Sequence, residues 1–298
     1  LSLAHGGHLR HGLPINFSGK WYNFIGYTTK KNTGTIDMNE MYMLAKKHKP
    51  KMILAGFSAY SRSIDWKAFK KIADEVGAIT MADISHIAGL IAGKQLENPV
   101  PIFDVVTTTT HKTLRGPRGA MIMCKEKFAK AIDKAVFPGI QGGPHEHIIA
   151  AKAVAFKEAL NPKFQQYAKN VISNAQALSD ALIKLGFNIV TGGTSNHLML
   201  VDLRTKNVTG NIAEKALEKA EISVNKNLIP YDPEKPVTTS GIRLGTPALT
   251  TRGMKPKDMI TVANFINEVL GNIDNERKIK IIGNRVKKFS SKFPLFSF

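Results

Sequence analysis

The sequence runs to 298 residues, enough for about two domains of ordinary size. Hydrophobic residues make up 43% and charged residues 22%, which excludes a disordered chain, and no apolar run reaches the roughly 18 residues of a membrane helix. Lys and Arg number 42 against 23 Asp and Glu, for a net charge of +19. The single Cys124 excludes an internal disulfide framework and a cysteine-held zinc, so a cytoplasmic protein without a metal is expected.

The chain opens at Leu1 inside a Gly/His-rich loop with no signal segment behind it, and reads as a piece whose start lies upstream. From about residue 37, helix and strand patterns alternate. Asp65 is placed to cap a helix carrying Phe69, Ile72, Ala73 and Val76 on one face and ending at Gly77. Short apolar runs at 52–55, 78–82, 105–109 and 120–123 read as strands of a mostly parallel sheet buried on both faces. After Gly142-Gly143-Pro144 a long helical stretch, 148–185, is broken at Asn161-Pro162, because the residue before a proline resists the helical region. The expected division falls there: a large αβα domain over 1–158 and a smaller α+β domain over 159–298. Within the second, 188–191 and 197–203 read as strands. A helix runs through Ile212, Ala216, Leu217 and Ala220, and another from Pro256 to Gly271. The densest basic run, 277–292, alternates with Ile279, Ile281, Ile282 and Val286. It reads as a solvated amphipathic helix, with a nucleic-acid footprint as the alternative.

Chemistry concentrates in two segments. In the first, a buried strand ends in four threonines and is followed by His111, Lys112 and a Gly/Pro turn containing Arg115 and Arg118. Ligands of open α/β sheets collect at carboxyl ends of strands. An amine placed there, desolvated and close to other cations, has a lowered pKa and can attack a carbonyl. The competing reading is one more exposed lysine. In the second segment a strand ends at Asp83, with His86 three residues on. A strand-end lysine and a strand-end aspartate suit pyridoxal phosphate: one holds the aldehyde, the other keeps the pyridine nitrogen protonated. Asp83 could equally cap a helix. Ser58, after the preceding strand, is a candidate contact to the ring or a plain loop serine.

Seven ordered blocks carry a resemblance: Leu3-Ala-His-Gly-Gly-His-Leu9, Asn16-Phe-Ser-Gly-Lys20, Gly56-Phe-Ser-Ala-Tyr-Ser61, Thr107-Thr-Thr-Thr-His-Lys112, Pro138-Gly-Ile-Gln-Gly-Gly-Pro144, Val224-Asn-Lys-Asn227 and Ser240-Gly-Ile-Arg-Leu-Gly-Thr-Pro-Ala248. The chain resembles the serine hydroxymethyltransferases over nearly its whole length. The resemblance implies the fold-type-I pyridoxal-phosphate fold of the aspartate aminotransferase kind and reversible interconversion of L-serine and glycine. It also implies transfer of the hydroxymethyl carbon to tetrahydrofolate, and a homodimer or tetramer whose sites draw on two chains. It implies that Lys112 holds the cofactor aldehyde and that Asp83 pairs with the pyridinium. His8 would stack on the ring, Ser58 and His86 would contact the ring hydroxyl, and Thr109 would assist proton movement beside Lys112. His111 joins the catalytic set and Arg118 the substrate-binding set. Arg243 would clamp the substrate carboxylate, backbone at Gly143 would reach the neighbouring subunit's cofactor phosphate, and Leu3, Gly7, Leu9 and Asn227 would line the folate site.

The family's N-terminal part, with its catalytic glutamate and phosphate-binding loop, has no counterpart in the sequence, so the chain by itself is expected to be inactive. Glu146 and Lys235-Pro-Val237 depart from the family pattern, Arg10 and Ser85 more mildly. Two rival functions stand beside this reading. One is a folate-independent aldolase of β-hydroxy amino acids; the other is a non-catalytic RNA-binding protein suggested by the charge. No membrane partner is expected.

Overall fold

The computed structural model describes residues 1–295; the end of the second expected domain, 296–298, lies outside them. Loops around α1 (Phe17–Trp21) lead to α2 (Met38–His48), β1 (Met52–Gly56), α3 (Trp66–Val76) and β2 (Ile79–Asp83). Then come α4 (Ala88–Ala92), β3 (Val105–Thr109), β4 (Ala120–Cys124), α5 (Glu126–Lys134) and α6 (Glu146–Ala159). α3 forms as its pattern requires. The Asp65 carboxylate accepts the Ala68 N–H, Trp66, Phe69, Ile72 and Ala73 are buried, and Gly77 caps the end.

The four strands form one sheet in the order β1-β2-β3-β4, with β1, β2 and β3 parallel and β4 antiparallel to β3. Burial on both faces, expected of all four, fails for β4: it lies at the sheet's end, none of its residues is fully buried, and Ile122 is exposed. Close packing at the other end depends on one glycine. A Cβ at Gly56 would sit 2.6 Å from the Asp83 carbonyl oxygen, so β1 can lie beside the end of β2 only without a side chain there.

α7 (Pro162–Lys184) starts at the Asn161-Pro162 break, with Asn161 accepting the Lys163 N–H and Pro162 in the first turn. Its first turns put Phe164, Tyr167, Ala168 and Val171 into the core that also holds Phe69, Leu90 and Phe103. Its later turns put Ala175, Leu178 and Leu182 into a second core. That core belongs to β5 (Asn188–Ile189), β6 (Leu198–Asp202), α8 (Gly210–Lys219), β7 (Asn225–Asn227), β8 (Gly241–Gly245), α9 (Pro247–Thr251), α10 (Pro256–Leu270) and α11 (Glu276–Ser290). The second sheet is antiparallel, in the order β5-β6-β8-β7. The basic run forms α11, with Ile279, Ile282 and Val286 buried, whereas Ile281 faces outward. Arg285 pairs with Glu268 and Lys287 with Glu221, so part of its charge is spent within the fold.

Hydrogen bonds tie the loop after β1 to the segment between β5 and β6. Arg62 Nη2 donates to the Thr191 carbonyl at 2.6 Å, Asn196 Nδ2 to the Tyr60 carbonyl at 3.0 Å, and Thr194 Oγ1 to the Ser61 carbonyl at 3.1 Å. Asn196 and Thr194 are buried, so these bonds also satisfy groups that water cannot reach. This seam sets the second sheet against the carboxyl ends of β1, β2 and β3.

Candidate active site

Parallel pairing puts Gly56, Asp83 and Thr107 side by side, so the loops after β1, β2 and β3 leave the sheet at one edge. They deliver Ser58, Asp83 and the Thr109–Lys112 segment to one place. Lys112 Nζ donates to Thr109 Oγ1 at 2.9 Å, and the Thr109 N–H donates to Ser85 Oγ at 3.0 Å. The lysine amine is held below its ordinary value by burial, with Arg118, Arg243 and Arg10 acting in the same direction and Asp83 against them. Arg115, expected beside it, instead stacks on the Tyr167 ring, 4.4 Å from its centroid. His111 and Arg118 turn toward each other: Arg118 Nη1 lies 3.5 Å from His111 Nε2.

Asp83 does not cap α4, whose N-cap residue is Ile87. Its Oδ1 accepts the Ser85 N–H at 3.0 Å and its Oδ2 meets His11 Nε2 at 2.9 Å. Burial works to raise its pKa, but the hydrogen bonds from His11 and Ser85 prevail and hold the carboxyl at about 2. His11 was not singled out from sequence. Its spacing of three from His8 in His8-Leu-Arg-His11 was the available signal, and the two rings lie 5.3 Å apart. His8 is half-buried, and burial together with His11, Lys112 and Arg10 keeps its pKa low. Ser85, likewise not singled out for the site, joins the two strand ends by bonding both Asp83 and Thr109.

Arg243 comes from β8 of the second sheet. Its Nη1 donates to the Ser58 carbonyl at 2.8 Å, and it has no carboxylate partner among the described residues. Ser58 Oγ is buried and without a hydrogen-bond partner among those residues. His86 is held neutral, its pKa lowered to about 2 by burial and by His197, Arg243 and Lys112. Gly7 closes the turn in which its N–H donates to the Ser2 carbonyl, and a Cβ there would collide with the Leu1 carbonyl oxygen. Leu3 and Leu9 are 41% and 46% exposed, so neither is a core residue. Asn227 at the end of β7 bonds the Leu228 carbonyl at 2.7 Å. Gly143 sits apart in an exposed loop, with nothing within 4 Å of the place a Cβ would take. Among the described residues no group of three potential metal ligands occurs, and no helix is long and apolar enough to cross a membrane.

A carboxylate and an amine-bearing loop issue here from neighbouring parallel strands, and a guanidinium reaches them from a second, antiparallel sheet. This is the architecture of the fold-type-I pyridoxal-phosphate transferases, and the fold is of that class. The family model for serine hydroxymethyltransferase matches residues 1–266. The chain belongs to the serine hydroxymethyltransferase family. That family transfers the hydroxymethyl group between serine and glycine, depends on pyridoxal phosphate, uses tetrahydrofolate and forms oligomers. The residues present fit the cofactor: Ser58 Oγ is a buried hydroxyl lacking a partner, Asp83 is held ionised, and Lys112 has a weakened hold on its proton.

Proposed function

We propose that this chain carries the reversible interconversion of L-serine and glycine, with tetrahydrofolate as the one-carbon acceptor, at the site centred on Lys112. The observation that carries the reading is the convergence of Asp83 and Lys112 at adjacent strand ends with Arg243 from the other sheet. When bound, pyridoxal phosphate supplies an electron sink for negative charge at the substrate α-carbon. Lys112 would hold it through Nζ, and burial of that amine favours the neutral form needed for attachment. Asp83 would supply the negative charge that keeps the pyridine nitrogen protonated, His8 would pack against the ring, and Ser58 Oγ and His86 would hold the ring hydroxyl. Thr109 Oγ1, hydrogen-bonded to Lys112 Nζ, orients that amine and takes part in moving its proton. Arg243 exchanges the Ser58 carbonyl for the substrate carboxylate, where a guanidinium gives a two-point grip, and Arg118 assists at the rim. His111 supports Lys112 from the neighbouring position. Leu3, Gly7, Leu9 and Asn227 form the folate-facing side; the exposure of both leucines supports this.

The same proposal takes Gly143 as a backbone donor to the cofactor phosphate of a second copy, in a cytoplasmic dimer or tetramer. Exposed Trp21, Phe137, Ile140 and Leu160 support a covered surface. The division proposed at 158/159 falls just ahead of α7, whereas the change of core comes within that helix, between Val171 and Ala175. The test is glycine formation from L-serine by the protein as its cell makes it, with and without tetrahydrofolate. Dependence on the folate is expected; equal cleavage without it would replace this reading with a folate-independent aldolase.

A further inference from the structure

His197 stands directly before β6, and its carbonyl accepts the Thr246 N–H at 3.0 Å, so the backbone there is fixed between β6 and the end of β8. The residue is 6% exposed, and its side chain leaves the second sheet to meet a residue in the turn after β2 of the first. The imidazole lies on that of His86, with ring centroids 5.7 Å apart and planes 26° from parallel. Nδ1 of His197 is buried and has no partner among the described residues, so no hydrogen bond accounts for a histidine at this place. His86 is fixed on its other side through the backbone, where its carbonyl accepts from Thr113 Oγ1 at 2.9 Å. Among the described residues the ring of His86 therefore has one flat neighbour, and that neighbour directly precedes a strand of the sheet that also carries Arg243.

We propose that His197 is a positioning residue for the serine–glycine site, its imidazole stacking on His86 to fix that ring's plane and to tie the approach of the Arg243-bearing sheet to the Lys112 side. This rests on the function proposed above. The groups facing His86 are His197, Arg243 and Lys112, which oppose its protonation, and Asp83, which favours it. His197 is itself lowered to about 3 by burial and by Arg243. A neutral ring is thus the form the place accepts: a second cation here would face Arg243 without a counter-charge. Stacking needs only a flat ring, which sets apart two substitutions. His197→Ala removes the stack; His197→Phe keeps a neutral ring and discards the nitrogens.

The experiment uses the full chain and both variants. Histidine ¹⁵N resonances are followed against pH without cofactor, and glycine is titrated into pyridoxal-phosphate-saturated protein by absorbance. In the parent and in H197F, His86 is expected to stay neutral down to about pH 4. In H197A water reaches the ring, and its titration moves upward into the range of ordinary histidines. Glycine binding is expected to weaken about five- to tenfold in H197A, within the upper part of the roughly two- to twelvefold an aromatic pair is worth, and by no more than about threefold in H197F. Unchanged His86 titration and unchanged glycine affinity in H197A would overturn the proposal, as would equal losses in both variants. Should H197F fail to fold, H197A decides alone. A parent chain that takes up neither cofactor nor glycine would count against the proposed function, while the resonance arm, needing no ligand, still decides the stack.

Discussion

Replacing Asp83 by Asn removes the charge that the strand end is built to hold while keeping the shape of the side chain. The folded protein holds this carboxyl at about 2 against an ordinary 3.8. At 1.36 kcal/mol per pH unit, native interactions favour the ionised form by roughly 2 kcal/mol. Asn still accepts the Ser85 N–H, so the loss at pH 7 is expected near 2 kcal/mol, chiefly from the bond with His11. The sign follows from a depressed carboxyl: the stabilisation is complete above 3.8 and is lost as pH falls toward 2. Roughly half of it is gone by pH 3. Asp104 and Asp202 are also held below their ordinary values, but both are common to parent and variant and cancel in the difference. Urea denaturation of both proteins at pH 7, 5, 4 and 3 gives that difference directly. A gap near 2 kcal/mol at pH 7 that halves by pH 3 is expected. A gap that is absent at pH 7, or that stays constant to pH 3, would refute the reasoning.

Arg243→Lys is expected to leave cofactor uptake intact and to weaken glycine binding by about 2–4 kcal/mol, roughly 30- to 900-fold, because a point charge replaces a two-point grip. Unchanged affinity by absorbance titration would remove Arg243 from the carboxylate role. The 298-residue chain assayed alone is expected to convert serine negligibly. Among its described residues no glutamate hydrogen-bonds or ion-pairs with Lys112, His8, His11, His86 or Arg243, and the Gly142-Gly143 loop is open to solvent. Turnover at an ordinary enzyme rate, measured as glycine formed, would show that the chemistry needs no such carboxylate.

Local pattern made much of this architecture legible. Asp65, the apolar face through Phe69 and Ile72, and Gly77 state α3 completely, since cap, face and stop all lie between residues 65 and 77. Lys112 and Asp83 were legible for a similar reason: each follows a short apolar run, and strand ends are where open sheets place ligands. Convergence over long distances was not legible from spacing. His11 meets Asp83 across 72 positions and Arg243 meets Ser58 across 185, and only the packed sheets set those encounters. Arg115 misled for the same reason: its neighbours in sequence suggested the lysine, but α7 offers it the face of Tyr167. The division of α7 between two cores also leaves no mark, because its apolar spacing runs unbroken from Phe164 to Leu182.

The central claim, that Lys112 is the residue to which pyridoxal phosphate attaches, is tested most directly by borohydride reduction of the cofactor-saturated chain followed by peptide mapping. Reduction fixes the cofactor to whichever amine holds it, and the burial that lowers Lys112 makes that amine the reactive one among 33 lysines. The pyridoxyl label is predicted on the peptide containing Lys112, and its loss in Lys112→Ala; a label on any other lysine, at equal yield in that variant, would contradict the account.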